Sequence, residues 1–253
     1  MSERPSPAPE SSQPGQRSGR TGNDSAHNGH GAGGDGDGYR RSDLVAEPNR
    51  AADRTRLRVC VVGDDLVAGI GDARALGWVG RVAARSPQPG SALSVFPLGV
   101  PGETSASLLA RWRTECTPRF AGVSPDRCRL VIGLGREDVY QLMSVPRSRL
   151  NLANLLDECT QDGISALVVG PPPGPDERLN TKIGELSATF ADVCLRRRVT
   201  YIDTFTPLLA HEDWLTDLAA GDGRHPGQAG YGLIAWLVLH GGWDGFLGLT
   251  ESE

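Results

Sequence analysis

Leu57-Arg58-Val59-Cys60-Val61-Val62-Gly63 is a short run rich in β-branched residues, closed by a glycine and followed at once by Asp64 and Asp65. Such a run reads as a strand buried on both faces, the kind that fills the middle of a parallel sheet. Working outward, a Gly-rich turn leads to Trp78-Val79 and Val82-Ala83 at helical spacing. A second strand is predicted over Leu93 to Leu98, ending in Gly99-Val100-Pro101-Gly102, then a helix capped by Thr104 or Ser105 with Leu108, Leu109 and Trp112 on one face. The third unit opens with Arg129-Leu130-Val131-Ile132-Gly133-Leu134-Gly135, runs through Arg136-Glu137-Asp138, and has its helix over Leu150 to Cys159. Ile164 to Gly170 is a fourth strand, broken by Pro171-Pro172-Pro173, with Ile183, Leu186, Phe190 and Val193 as the stripe of the next helix. Val199 to Asp203 is the fifth strand, and the last helix lies within Gly221 to Leu239.

Strands alternating with helices specify an α/β domain: a three-layer α/β/α sandwich around a five-stranded, mostly parallel sheet. In such sheets ligands bind beyond the carboxyl ends of the strands. Asp65, Gly102, Glu137 and the Asp222/His225 turn all fall just past a strand end or in a late loop, which places them in one prospective site.

The chain has 253 residues, 38% of them hydrophobic, and a net charge of −5. Residues 1–56 contain no Leu, Ile, Val, Phe or Trp before Leu44 and are rich in Gly, Ser, Pro, Arg and Asp. Such a segment buries too little apolar surface to offset its ordering entropy, so 1–56 is expected to be a disordered tail and 57–249 the domain. Eight Arg balance eight acidic residues in the tail, so the negative charge belongs to the domain. That sign gives no support for nucleic-acid or anionic-membrane partners. There is no apolar signal segment and no stretch long enough to span a bilayer, and the five scattered Cys lack any C-x-x-C pair. The expectation is a cytoplasmic protein with a small-molecule substrate or ligand, no cofactor and no structural metal; its oligomeric state is open.

Gly221-Asp222-Gly223-Arg224-His225-Pro226-Gly227 supplies the chemistry. An Asp three residues before a His, in a turn closed by Pro, can hold one ring nitrogen and leave the other free as a base. Pro226 suits the first turn of the following helix, so His225 should sit at a helix mouth.

These residues carry a resemblance. Gly63-Asp64-Asp65-Leu66-Val67-Ala68-Gly69 resembles the first block, G-D-S-L-x-x-G, of the SGNH (GDSL) esterase/lipase superfamily, whose sheet is of the flavodoxin-like kind. Gly99-Val100-Pro101-Gly102 resembles its second block, Gly135-Arg136-Glu137-Asp138 stands where the third, G-x-N-D, is expected, and Asp222-Gly223-Arg224-His225-Pro226 matches the last, D-x-x-H-P. The resemblance implies esterase/lipase ancestry, with His225 as base, Asp222 as its orienter, Gly102 as an oxyanion-hole N–H, and Asp64 and Gly135 framing the binding site. The family's nucleophilic Ser position is Asp65 and its oxyanion-hole Asn position is Glu137; Pro97 replaces the Asn common ahead of the second block.

Loss of the Ser typically removes a factor on the order of 10⁶ in rate. An ionised carboxylate at the Asn position would repel an oxyanion by roughly 4 kcal/mol at about 4 Å and an effective dielectric near 20. Three readings follow. Asp65 is itself the nucleophile, as in the Asp-His-Asp hydrolases of another scaffold, with Glu137 as the proton-donating acid; or Asp65 and Glu137 act with His225 as an acid/base set, of which a divalent metal held by two carboxylates and an imidazole is a variant without a local ligand motif. In the third, the domain is an inactive binder and Asp65 merely caps a helix. Conventional ester hydrolysis would need another route, through Ser105 or Ser107, which suit helix-cap and surface positions better. Trp78, Trp112 and Trp236 are expected in the core, His211 and His240 at surface or packing positions, Pro171 to Pro175 as a pocket wall or a connection, and Trp214 to Leu218 as a short helix over the site.

Overall fold

A computed structural model describes residues 56–86 and 93–248. The expected tail and the last residue of the expected domain, at 249, lie outside the described residues, apart from Arg56. In order, the elements are β1 (Leu57–Gly63), α1 (Asp65–Ala68), α2 (Gly77–Arg85), β2 (Leu93–Gly99), α3 (Ser105–Phe120), a 3₁₀ turn (Pro125–Arg127), β3 (Cys128–Gly133), α4 (Arg136–Tyr140), α5 (Val145–Gln161), β4 (Ser165–Val169), α6 (Glu177–Arg197), β5 (Thr200–Ile202), α7 (Phe205–Leu208), α8 (Glu212–Ala220), α9 (Gln228–Val238), a π turn (Leu239–Trp243) and α10 (Asp244–Leu247).

The five strands form one sheet in the order β2-β1-β3-β4-β5, every described pairing parallel. Its organising strand is β1, where the period-2 alternation of a pleated strand splits the side chains between the two faces. Val59 and Val61 join a cluster with Trp78, Val79 and Val82 of α2 and Ile234, Ala235 and Val238 of α9. Cys60 and Val62 join a second cluster with Leu108 and Trp112 of α3, Leu152, Leu155 and Leu156 of α5, and Ile183, Leu186 and Phe190 of α6. Each face is thus covered by helices, the three-layer sandwich expected. The five cysteines are buried in this packing and unpaired. Pro97 lies on the edge strand β2, where a missing N–H costs no ladder bond on the open side.

Parallel pairing brings all strand ends to one edge in register: Gly63 stands opposite both Gly99 and Gly133. The chain needs glycine at 63, where φ is +150° and a Cβ would lie 1.8 Å from the Gly133 carbonyl oxygen. That close approach lets the β1 end carry Asp64 and Asp65 straight into the edge where the other loops converge.

Several local expectations change. Trp236 is not a core residue: it is 54% exposed and stacks on His240, while Trp214 and Trp243 are the further buried tryptophans. Its neighbours on α9, Ile234, Ala235 and Val238, take the buried face, and Trp236 falls on the other side. Pro226 precedes the Gly227 N-cap of α9 and is not in its first turn. Among the described residues no helix is long and apolar enough to cross a membrane.

Candidate active site

Asp64 and Asp65 leave β1 side by side and are put to different uses. Asp64 is the N-cap of α1: its side chain accepts the Leu66 N–H at 3.0 Å, so the capping role that Asp65 was offered falls to its neighbour. Asp64 is 3% exposed, and burial pushes its carboxyl up to about 7 against the opposing pull of the Leu66 N–H and Arg136. Asp65, the first residue of α1, turns into the site. Its Oδ2 accepts the Gly102 N–H at 3.0 Å, and its Oδ1 stands 3.5 Å from His225 Nε2.

The Asp222 turn performs as its spacing requires. Asp222 Oδ1 accepts the backbone N–H groups of Arg224 at 2.8 Å and His225 at 2.7 Å, and Oδ2 lies 2.6 Å from His225 Nδ1. The His225 backbone N–H and then its ring hold the Asp222 carboxyl well below the usual carboxylate range. With Nδ1 on Asp222, Nε2 is the ring nitrogen turned toward Asp65. Nε2 is buried and makes no hydrogen bond; the 3.5 Å approach to Asp65 is a contact at the outer limit of such a bond. The loop before α2 passes close against the backbone and Cβ of His225. Gly71 has φ +93°, and a Cβ there would lie 2.9 Å from His225 Cβ and 2.7 Å from the Pro226 carbonyl oxygen.

The third block behaves differently from the expectation. Glu137 does not face the site as a lone carboxylate or a free acid: it is 4% exposed and ion-paired to Arg224 Nη2. Arg224 also lies over the Tyr140 ring, 4.6 Å from its centroid. A guanidinium in contact with Glu137 cancels the repulsion of about 4 kcal/mol charged to a bare carboxylate at this position. Arg224 was passed over in the sequence because it fills a variable position of D-x-x-H.

The short helix α4 ties the two sides of the site together. Gly135, its N-cap, has φ +129°. From α4, Arg136 donates to the Arg224 carbonyl at 2.5 Å and to the Tyr140 hydroxyl at 3.0 Å. Asp138, fully buried, accepts the Ser105 N–H at 2.7 Å, and Gln141 donates to the Gly102 carbonyl at 2.7 Å. One end of this bracket holds the Gly102 loop and the other holds the His225 loop. Gln141 and Arg136 were not singled out in the sequence; their partners lie 39 and 88 residues away.

The two serines have other work. Ser107 completes a capping box with Thr104, and Ser105 is buried with its Oγ accepting from Asn151 at 2.9 Å. Their hydrogen bonds lie within that packing and not with His225. Pro171 and Pro172 line a small buried cavity with Asp64 and Trp78, which contains none of Asp65, Gly102 or His225. A cavity of about 580 Å³, lined by Pro175, Asn180, Phe205, Leu209 and Leu215, contains none of Asp65, Gly102 or His225. Among the described residues no cluster of His, Cys, Asp and Glu is arranged to hold a metal ion.

Comparison with known proteins agrees with this architecture. The chain is 28% identical to the esterase TesA of Pseudomonas aeruginosa over 188 residues, 74% of this chain and 86% of that protein. A crystal structure of TesA superposes with a TM-score of 0.60 at 23% identity, covering 73% of this chain and 97% of the other. Axe2, an acetylxylan esterase from Geobacillus stearothermophilus, gives 0.59 at 19%, covering 74% and 95%. At these identities the structural likeness speaks to the fold, and the sequence match to the lineage. Residues 61–233, from the middle of β1 to the middle of α9, match the GDSL-like Lipase/Acylhydrolase family, and the chain belongs to that family.

Proposed function

We propose that this protein is a hydrolase of small organic substrates in which Asp65, and not a serine, is the nucleophile. The observation that supports it is the division of labour on one carboxylate: Oδ2 rests on the Gly102 N–H at 3.0 Å while Oδ1 faces the His225 ring. Oδ1 would attack an electrophilic sp³ carbon, such as that of a small epoxide or alkyl halide. A C–O bond forms, the C–O or C–X bond breaks, and the electron pair leaves on oxygen or halide, giving an ester on Asp65. His225 Nε2 then takes a proton from water, and the resulting hydroxide adds to Cγ of Asp65. The negative charge of that addition collects on Oδ2, beside the Gly102 N–H already in place, which is the preorganised arrangement such a step needs. Collapse breaks the bond from Cγ to the alkoxy oxygen, Oδ1, His225 returns the proton to that oxygen, and the alcohol departs; the Asp65 carboxyl so formed gives its proton to solvent, which has supplied one to the alkoxide where an epoxide was opened, and the carboxylate is restored with one oxygen from water. Asp222 holds the imidazole and its transient charge.

The test is to trap the ester. His225→Gln keeps an amide in place but removes the base, so Asp65 should carry a stable adduct after exposure to styrene oxide or 1-iodobutane, read as a mass increment on its tryptic peptide. The native protein should turn the same probe over, and Asp65→Asn should not. No adduct on Asp65 with either probe, together with a silent native protein, would overturn the proposal in favour of a non-catalytic binding domain, whose Gly102 N–H is permanently occupied by Asp65.

A further inference from the structure

We propose that Arg224 replaces the amide at the third position of the oxyanion hole, so that the Asn-to-Glu change at 137 re-equips the hole instead of dismantling it. Glu137 stands where the family carries its donor Asn, and its carboxylate is bonded to Arg224 Nη2, which brings a guanidinium to the same place. Arg224 precedes His225 in the chain, and Asp65 is among the charges acting on it, so the group lies within the electrostatic reach of the reacting carboxylate. It is well anchored: Tyr140 supports one face at 4.6 Å, and Arg136 holds the Arg224 carbonyl at 2.5 Å. It is also incompletely used. Its Nε is buried without a hydrogen-bond partner, and the side chain remains 42% exposed toward solvent. A guanidinium presents five N–H donors, more than Glu137 can take. In this arrangement Arg224 is the catalytic donor, and Glu137 and Tyr140 are positioning residues.

For the native chain the proposal rests on the Asp65 mechanism, where Arg224 would share with Gly102 the charge that develops on Oδ2. Its test is built to be independent of that mechanism. Asp65→Ser frees the Gly102 N–H and supplies the family's hydroxyl beside His225, and p-nitrophenyl acetate then reports on the hole alone. The single variant should hydrolyse this ester above background. In Asp65→Ser/Glu137→Leu, where no carboxylate is left unpaired, adding Arg224→Gln should lower kcat by roughly 10²- to 10³-fold with KM little changed, the size expected for one oxyanion donor. Adding Arg224→Gly instead should give a protein partly rescued by methylguanidinium, a readout that a purely structural arginine would not show. Circular dichroism melts establish that each variant is folded, and Arg224→Lys serves where the smaller side chains are not tolerated. The proposal is overturned if Arg224→Gln leaves kcat unaltered. It is equally overturned if Asp65→Ser is inert while Asp65→Ser/Glu137→Asn/Arg224→Gln hydrolyses the ester. Inertness of both folded variants would overturn it too, since no hole would then be present. None of these outcomes depends on whether the native carboxylate attacks carbon, so failure of either proposal is visible separately.

Discussion

Asp64→Asn isolates the cost of holding a carboxyl inside the strand edge. The substitution keeps an acceptor for the Leu66 N–H at 3.0 Å, so the cap of α1 is retained, and asparagine is as good a cap as aspartate. What it removes is the ionisation. Burial moves the Asp64 carboxyl from its ordinary 3.8 to about 7 in the folded chain. Between these values the unfolded chain has released the proton and the folded chain still holds it, so the folded chain binds more protons and stability falls as pH rises. The difference of about 3 units corresponds to about 4 kcal/mol, lost from pH 4 upward and complete by about pH 8. Urea unfolding of the native protein and Asp64→Asn at half-unit steps from pH 4 to 8 should therefore give curves that agree near pH 4. They should then diverge in favour of the variant by about 1.4 kcal/mol per pH unit, and become parallel at about pH 8. Identical pH dependence in the two proteins would refute the reasoning, because it would mean that Asp64 ionises alike in both states.

Two further substitutions probe the loop between α1 and α2. Gly71→Ala, at φ +93° and with its new Cβ 2.9 Å from His225 Cβ, should cost roughly 1–3 kcal/mol in a thermal melt. It should also slow hydrolysis of the Asp65 ester more than its formation in single-turnover experiments, because only the second step needs the imidazole. Asp72, whose side chain is wholly buried, accepts the Gly77 N–H at 2.9 Å and pairs with Arg81, which holds its carboxyl down at about 2. Its contribution is present above pH 4 and lost as pH falls toward 2, so Asp72→Asn should cost about 2 kcal/mol at neutral pH and nothing near pH 2, measured by chemical unfolding.

The order of the elements was legible because the first four strands are compact apolar runs that end in or run into glycine, and because β1 must bury both faces. The element ends were less so: α5 begins at Val145, well before the apolar periodicity starts, because Pro146 and Arg147 suit a first turn without facing the core. The Asp222–His225 contact was legible because it is local, three residues across one turn. That Gly102 and Asp65 share one edge of the sheet followed from the parallel pattern, although the bond between them did not. Long-range polar choices were hidden. Nothing in the neighbourhood of Glu137 points to a partner 87 residues on, and nothing separates Asp64 from Asp65 until one of them caps the helix. Trp236 misled for a related reason: a helix with tryptophan beside isoleucine, leucine and alanine has more apolar residues than its buried face can take.

The Glu137–Arg224 contact also constrains how such a site can be assembled by single substitutions. An arginine at 224 is tolerable before any partner exists, since its side chain is 42% exposed and rests on Tyr140. A glutamate at 137, 4% exposed, would arrive as an unpaired buried carboxylate, at a cost of several kcal/mol. The two changes are therefore epistatic with a preferred sequence, arginine first and glutamate second. The way back is constrained likewise: a lineage that lost Arg224 alone would pass through a less stable protein before it could recover an amide at 137.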